Sequence, residues 1–288
     1  VRARAPASSA NLGPGFDALA VALNLYVQVE VEPAGALSVR TSGHGADLSL
    51  DATHLAVRVV TQVLGHDRFA LTVHSQIPVS RGLGSSAALA AAAAAAAGAE
   101  NPLEVAASFD GHPENAAASV LGGLVAAATV DGTVEAAHLA LSEELSFVVV
   151  VPERSLATAD ARRVLPDPVS RADAIYNLGR MGLLLAGLAD PAHLRAGATG
   201  DRLHQPARTA LFPEAPSILE ALLKAGALAS CWSGAGPALL GITTEAALSD
   251  VANATEDALS ASGFAAQVLA LRTDRAGLVY GDAAAMPN

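Results

Sequence analysis

Alternating and fully apolar runs, broken by glycine and proline, divide the chain into strands and helices of ordinary length. Residues 1–9 alternate apolar with polar or basic side chains, like a strand. Residues 25–32 (LYVQVEVE) alternate like a strand with one face buried, and 37–40 and 69–77 add two more. A helix is expected from Asp51, with Leu55, Val59, Val60 and Val63 spaced along one face and Gly65 ending it. Residues 89–98 are almost all alanine, which predicts a helix over 85–98. Asn101-Pro102 opens another, with proline at its first position. Gly111-His112-Pro113 interrupts it, and it restarts at Glu114 to end near Leu121. Residues 124–130 and 134–141 read as a hairpin around Asp131-Gly132, and 147–151 (FVVVV) as a buried strand. The second half reads as helices over 169–188, 191–198, 216–226 and 245–262, with strands over 228–232, 239–243, 265–271 and 277–280. Residues 11–17 (NLGPGFD) hold too much glycine and proline for a regular element. The fold class is α+β, in two halves (1–151 and 152–288) with a cleft between them.

Composition narrows the function classes. At 52% hydrophobic the chain can bury a substantial core, and with aromatics at only 3% that core is built of small aliphatic side chains. Acidic residues number 28 against 17 basic, a net charge of −11. This balance argues against nucleic acid or an anionic membrane as the main partner, so an anionic substrate must be held by local features. Cys231 stands alone, which leaves no intrachain disulfide and no cysteine metal cluster. No basic start leads into an apolar segment, and the apolar run 87–97 is too short to span a bilayer, so a cytoplasmic location is expected.

The chemistry centres on Pro78 to Ala88, PVSRGLGSSAA. Strand, glycine turn and helix in that order make an anion site, because the unpaired N–H groups of the first helical turn point at whatever lies above them. Gly82 and Gly84 allow positive φ and close approach. Ser85 and Ser86 are good N-cap residues whose hydroxyls can also face a ligand or metal. A glycine turn opening a core helix, with no ligand, has the same local pattern. No Walker A motif is present, since that motif requires lysine and the only lysine is Lys224. Gly82 to Ala87 also fits G-x-G-x-x-A, but a dinucleotide fold needs a strand ending in an acidic residue about 20 positions on. Here Asn101-Pro102 and a further helix follow instead.

NLGPGFD, PVSRGLGSSAA and a late loop, Ser233 to Pro237 (SGAGP), together resemble the three motifs of the GHMP kinases. The segments TADARRVLP (158–166), VSRADAIYNLGR (169–180) and DRLHQPAR (201–208) are most similar to the homoserine kinase branch of that family. The resemblance covers nearly the whole chain. It implies a two-lobed architecture, the first lobe like ribosomal protein S5 domain 2 and binding ATP, the second ferredoxin-like and completing the substrate site. It implies ATP and Mg²⁺, phosphorylation of the homoserine side-chain hydroxyl, and a possible homodimer. ATP phosphates would lie on Pro78, Arg81, Gly82, Leu83, Gly84, Ser85, Ser86 and Ala87. Ser86 and Asp110 would hold Mg²⁺. The family's usual E-G-H-P-D-N reads Asp110-Gly111-His112-Pro113-Glu114-Asn115 here, with the two acids exchanged. Homoserine would meet Asn11, Asp17, His112, Asn115, Thr158, Arg162, Arg208 and Gly234, with Asp17 facing its ammonium and the arginines its carboxylate; Arg163 competes with Arg162. Asn115, Asp110 and Arg162 would serve the transfer itself. Two other readings stay open: a family member acting on a different small alcohol such as threonine or a sugar, and a non-catalytic sensor, for which the acid exchange is the best support.

Overall fold

The computed structural model describes residues 1–281, so the end of the expected second half, 282–288, lies outside the described residues. The chain order is β1 (Arg2–Asn11), β2 (Gly15–Pro33), β3 (Ser38–Gly43), α1 (Leu55–Leu64), β4 (Phe69–Ser75), α2 (Ser85–Ala96), α3 (Pro102–Asp110), α4 (Pro113–Leu121), β5 (Leu124–Val130), β6 (Thr133–Leu139), β7 (Leu145–Pro152), α5 (Thr158–Arg163), α6 (Arg171–Ala189), α7 (Gln205–Arg208), α8 (Ala215–Lys224), β8 (Ala229–Trp232), β9 (Leu239–Thr244), α9 (Leu248–Ser262), β10 (Ala266–Leu271) and β11 (Val279–Gly281).

The first sheet runs β11-β1-β2-β4-β3, with β5 on the first part of β2 and β6 on β5. The 19-residue β2 can serve two neighbours because its register against β1 shifts between Pro6 and Ala7. Beyond that irregularity its far half pairs with β4. Helix α2 packs against β1, β2 and helices α1, α3 and α4. Nine of its alanines are buried, so it has no polar face; a helix apolar all round belongs in the middle of a core, and alanine lets its neighbours approach closely.

The second sheet is antiparallel, β10-β7-β9-β8. The strands and the two helices packed on them follow as β7-α8-β8-β9-α9-β10, and numbering the four strands in chain order gives 4-1-3-2 across the sheet, the ferredoxin-like arrangement. β7, with every residue buried, is the first strand of the second sheet rather than the last of the first. β11 returns to pair with β1. The proline at 152 closes β7, so the composition shift follows that strand.

Three further differences are local. NLGPGFD is the tip of the β1–β2 hairpin, with Asn11 paired to Gly15. The expected helix over 191–198 is two short 3₁₀ turns, 191–193 and 196–199. Thr158–Arg163 forms a one-and-a-half-turn helix that no periodicity marked. Among the described residues no helix is long and apolar enough to cross a membrane.

Candidate active site

The phosphate-type loop joins β4 to α2. Gly82 (φ +78°) and Gly84 (φ +63°) both occupy the left-handed region. Gly84 is the N-cap, with no side-chain cap. Ser85 and Ser86 are therefore the first helical residues and not the caps expected of them. A Cβ on Gly82 would run into the Ser233 carbonyl oxygen and the Gly236 amide. The two glycine loops are thus in backbone contact, clasped by Ser233 Oγ, which donates to the Gly82 carbonyl (2.7 Å).

A polar pocket of about 120 Å³ opens above this loop. It gathers Asn11 and Asp17 from the β1–β2 hairpin, Arg81 to Ser86 from the loop, and Asp110, His112, Glu114 and Asn115 from the α3–α4 junction. Thr158, Arg162, Arg208 and Gly234 come from the second half. Two expected residues stay out. Ala87 is fully buried, and Pro78 lies on a neighbouring cleft. Arg81 reaches the pocket wall, but its guanidinium donates to the carbonyls of Pro152 (3.0 Å), Glu153 (2.6 Å) and Val79 (3.1 Å). It fastens the loop to the end of β7.

Asn11 is half used within the fold. Its Nδ2 donates to the Gly234 carbonyl (2.8 Å) and its Oδ1 accepts from the Asp17 amide (3.0 Å). Asp17 accepts from Arg162 Nη2 (2.9 Å), whose Nε meets His112 Nε2 at 3.3 Å. Arg163 pairs with Asp160 on the surface instead (2.8 Å). The hydrogen bond with Asp110 raises the His112 pKa above its usual value.

Arg208 is 2% exposed. Its Nη1 donates to the Gly234 carbonyl (2.8 Å) and to His204 Nδ1 (2.9 Å). That makes His204 Nδ1 an acceptor, so the ring carries its proton on Nε2, which donates to the Gly13 carbonyl (2.8 Å). Burial lowers the His204 pKa and keeps the ring neutral. Phe16 stacks on His204 at 4.9 Å between ring centroids and lies under both Arg162 and Arg208. Burial also pulls the Arg208 pKa down to about 10, which leaves it a cation at neutral pH. Asp201 anchors the segment by accepting backbone N–H groups from Leu203, His204 and Gln205.

Asn115 accepts from Ser8 Oγ at Oδ1 (2.8 Å) and donates from Nδ2 to Glu114 Oε1 (3.0 Å). One amide proton and one lone pair stay free for a substrate hydroxyl. Ser8, His204, Asp201 and Phe16 were missed as site residues. The DRLHQPAR segment held two of them, but nothing in their spacing said that they support Arg208. Burial raises the Glu114 pKa from 4.5 to about 7. An acid with a raised folded pKa favours its neutral form, so stability is lost as pH climbs from about 4.5 through 7, by about 3 kcal/mol. Glu114→Gln should therefore raise the thermal midpoint at pH 8 more than at pH 5, in thermal melts of the ligand-free protein; an equal shift at both would show that the carboxyl carries no such cost.

A family model described as GHMP kinases N terminal domain matches residues 52–123, and one described as GHMP kinases C terminal matches 174–261. The homoserine kinase of Desulfitobacterium hafniense is 36% identical over 293 residues, covering 96% of this chain and 98% of the relative. That of Mycolicibacterium vanbaalenii is 41% identical over 265 residues, 84% of each. Among solved structures, homoserine kinase from Cytophaga hutchinsonii matches with a TM-score of 0.84 at 24% identity over 97% of this chain and 96% of its own, a likeness of fold. A putative homoserine kinase from Listeria monocytogenes matches at 0.77 with 26% identity, covering 96% and 98%.

Proposed function

The chain belongs to the GHMP kinase family, and from that premise we propose that it transfers the γ-phosphoryl group of ATP to the side-chain hydroxyl of L-homoserine. The observation that carries this reading is the meeting of an anion-binding helix start, two arginines and an amide in one polar pocket. The relatives named as homoserine kinases narrow the alcohol. ATP phosphates would lie on the N–H groups of the Gly82–Ser86 turn, which have no intrahelical partners. An apolar pocket of about 210 Å³ shares Ser85 and Ser86 with the polar one and suits a flat base. The functional division falls ahead of β7, with the ATP lobe before it and the lobe that completes the substrate site after it. A cytoplasmic location, where ATP is plentiful, suits this chemistry.

Mg²⁺ fits the residues present. Ser86 and Asp110 both line the pocket and offer the hard oxygen donors that it prefers. Among the described residues no three His, Cys, Asp or Glu side chains gather as a metal site, which suits an ion completed by phosphates and water. When bound, it neutralises phosphate charge. Arg208 and Arg162 are suited to a substrate carboxylate. Asn115 can orient the hydroxyl for in-line attack on the γ-phosphorus. An amide takes up no proton, so the proton leaves late, to the phosphate or to water. Phosphoryl transfer depends mostly on positioning and charge neutralisation.

ADP release with Mg·ATP and homoserine, threonine, mevalonate or galactose tests the reading. Homoserine-dependent turnover is expected; turnover only with another alcohol, or binding without turnover, overturns it. In single-turnover assays Asn115→Ala and Asp110→Ala should each slow the phosphoryl step about 10²-fold or more, the order seen when reactants lose alignment. Unchanged rates in both would remove these two residues from the step.

A further inference from the structure

His204 does not line the pocket, but it holds a residue that does. Arg208 Nη1 donates to the Gly234 carbonyl and to His204 Nδ1, and Nε reaches the Ala161 carbonyl at 3.4 Å. Among the described residues no salt bridge reaches this guanidinium. Nη2 makes no hydrogen bond among them either, so it is the edge left for a ligand in the pocket. Neutral acceptors alone therefore set where the guanidinium points. The imidazole, fully buried, is one of them. Its far side is tied down, because Nε2 donates to the Gly13 carbonyl at 2.8 Å. Gly13, at φ +80°, is pressed against the second half so closely that a Cβ there would overlap the Thr199 carbonyl. The Gly13 carbonyl is thus a fixed point. Asp201 Oδ2 lies 3.6 Å from Nε2. Its carboxylate is taken up by three backbone N–H groups and by Asn177 Nδ2 (2.7 Å), which leaves the ring N–H to Gly13. Only the neutral ring with its proton on Nε2 satisfies both neighbours. The other tautomer, or an imidazolium, would set N–H against N–H at Nδ1.

We propose that His204 is a positioning residue for substrate binding: through its Nε2–H tautomer it ties Arg208 to the tip of the β1–β2 hairpin and aims Nη2 at the substrate carboxylate. The assignment rests on the homoserine reading above. A neutral acceptor suits this task better than an acid would. It orients the guanidinium without cancelling the charge that the substrate carboxylate needs.

The test measures kcat and the homoserine and ATP KM in His204→Asn and His204→Gln, each alone and combined with Arg208→Met. Asparagine keeps an acceptor near the Nδ1 position. Glutamine keeps a donor near the Nε2 position and loses that acceptor. His204→Gln should raise the homoserine KM about 10- to 100-fold, the order for one hydrogen bond to a charged group, with kcat and the ATP KM moved less than about threefold. His204→Asn should recover most of that loss. In the Arg208→Met background the two variants should behave alike, since the residue they act through is gone. Thermal melts check that the variants fold, and ring-nitrogen chemical shifts of the wild type should show a neutral His204 protonated on Nε2. Equal rises for Asn and Gln, or the same difference between them with and without Arg208, overturn the proposal in favour of a packing role and leave the kinase reading intact. A ring protonated on Nδ1 overturns it as well. A wild type without homoserine turnover removes the homoserine reading and this assignment with it.

Discussion

Gly82→Ala should lower kcat/KM about 10²- to 10³-fold, as expected when a phosphate loop is displaced by about an ångström. The reason is double. At φ +78° an L side chain costs about 1–2 kcal/mol. The added Cβ would also press on the Ser233 carbonyl and the Gly236 amide, which are backbone and cannot turn away. The two loops must separate, breaking the Ser233 hydroxyl clasp and widening the pocket that they share. Stability should fall by about 2–4 kcal/mol, since strain and a core-loop clash add. Steady-state kinetics with varied ATP and urea unfolding measure the two effects. Wild-type values for both would mean that the loops are not held in contact in solution.

Arg208→Met should raise the homoserine KM about 10²- to 10³-fold, the range for truncating one partner of a buried, hydrogen-bonded charge pair. The ATP KM should move less than about tenfold. Methionine fills similar space, so packing is largely kept. It leaves the Gly234 carbonyl with Asn11 alone and His204 Nδ1 with no donor. Arg208→Lys should recover little, because one ammonium cannot reproduce a fork that serves a carbonyl, an imidazole and a substrate carboxylate together. An unchanged homoserine KM would place the carboxylate elsewhere in the pocket.

Much of the fold was legible because its signals are local. Asn101 does cap α3, accepting from the Glu104 amide. Gly65 and Gly111 do end helices in the left-handed conformation. The Asp131-Gly132 hairpin does form. The failures share a cause as well. The 3₁₀ turns at 191–199 and the short α5 are held by distant contacts, such as Thr199 Oγ1 donating to the Ser230 carbonyl, and these leave no periodicity. β7 could not be assigned to a sheet from its own residues, since a strand buried on both faces looks alike in either.

The amino-acid sequence by itself determined most of the elements, the three glycine loops and the residue types that meet in the pocket. Those follow from backbone freedom, capping and apolar spacing over a few residues. Tertiary structure alone decided which polar atoms are already committed. Arg81 is spent on carbonyls 71 and 72 positions away, Asn11 on one 223 away, and Asn115 on a serine 107 away. Glu114, read in sequence as one of two exchanged acids, is left with an unpaired oxygen. Hydrogen-bond partners are chosen by proximity in space, which local chemistry does not encode.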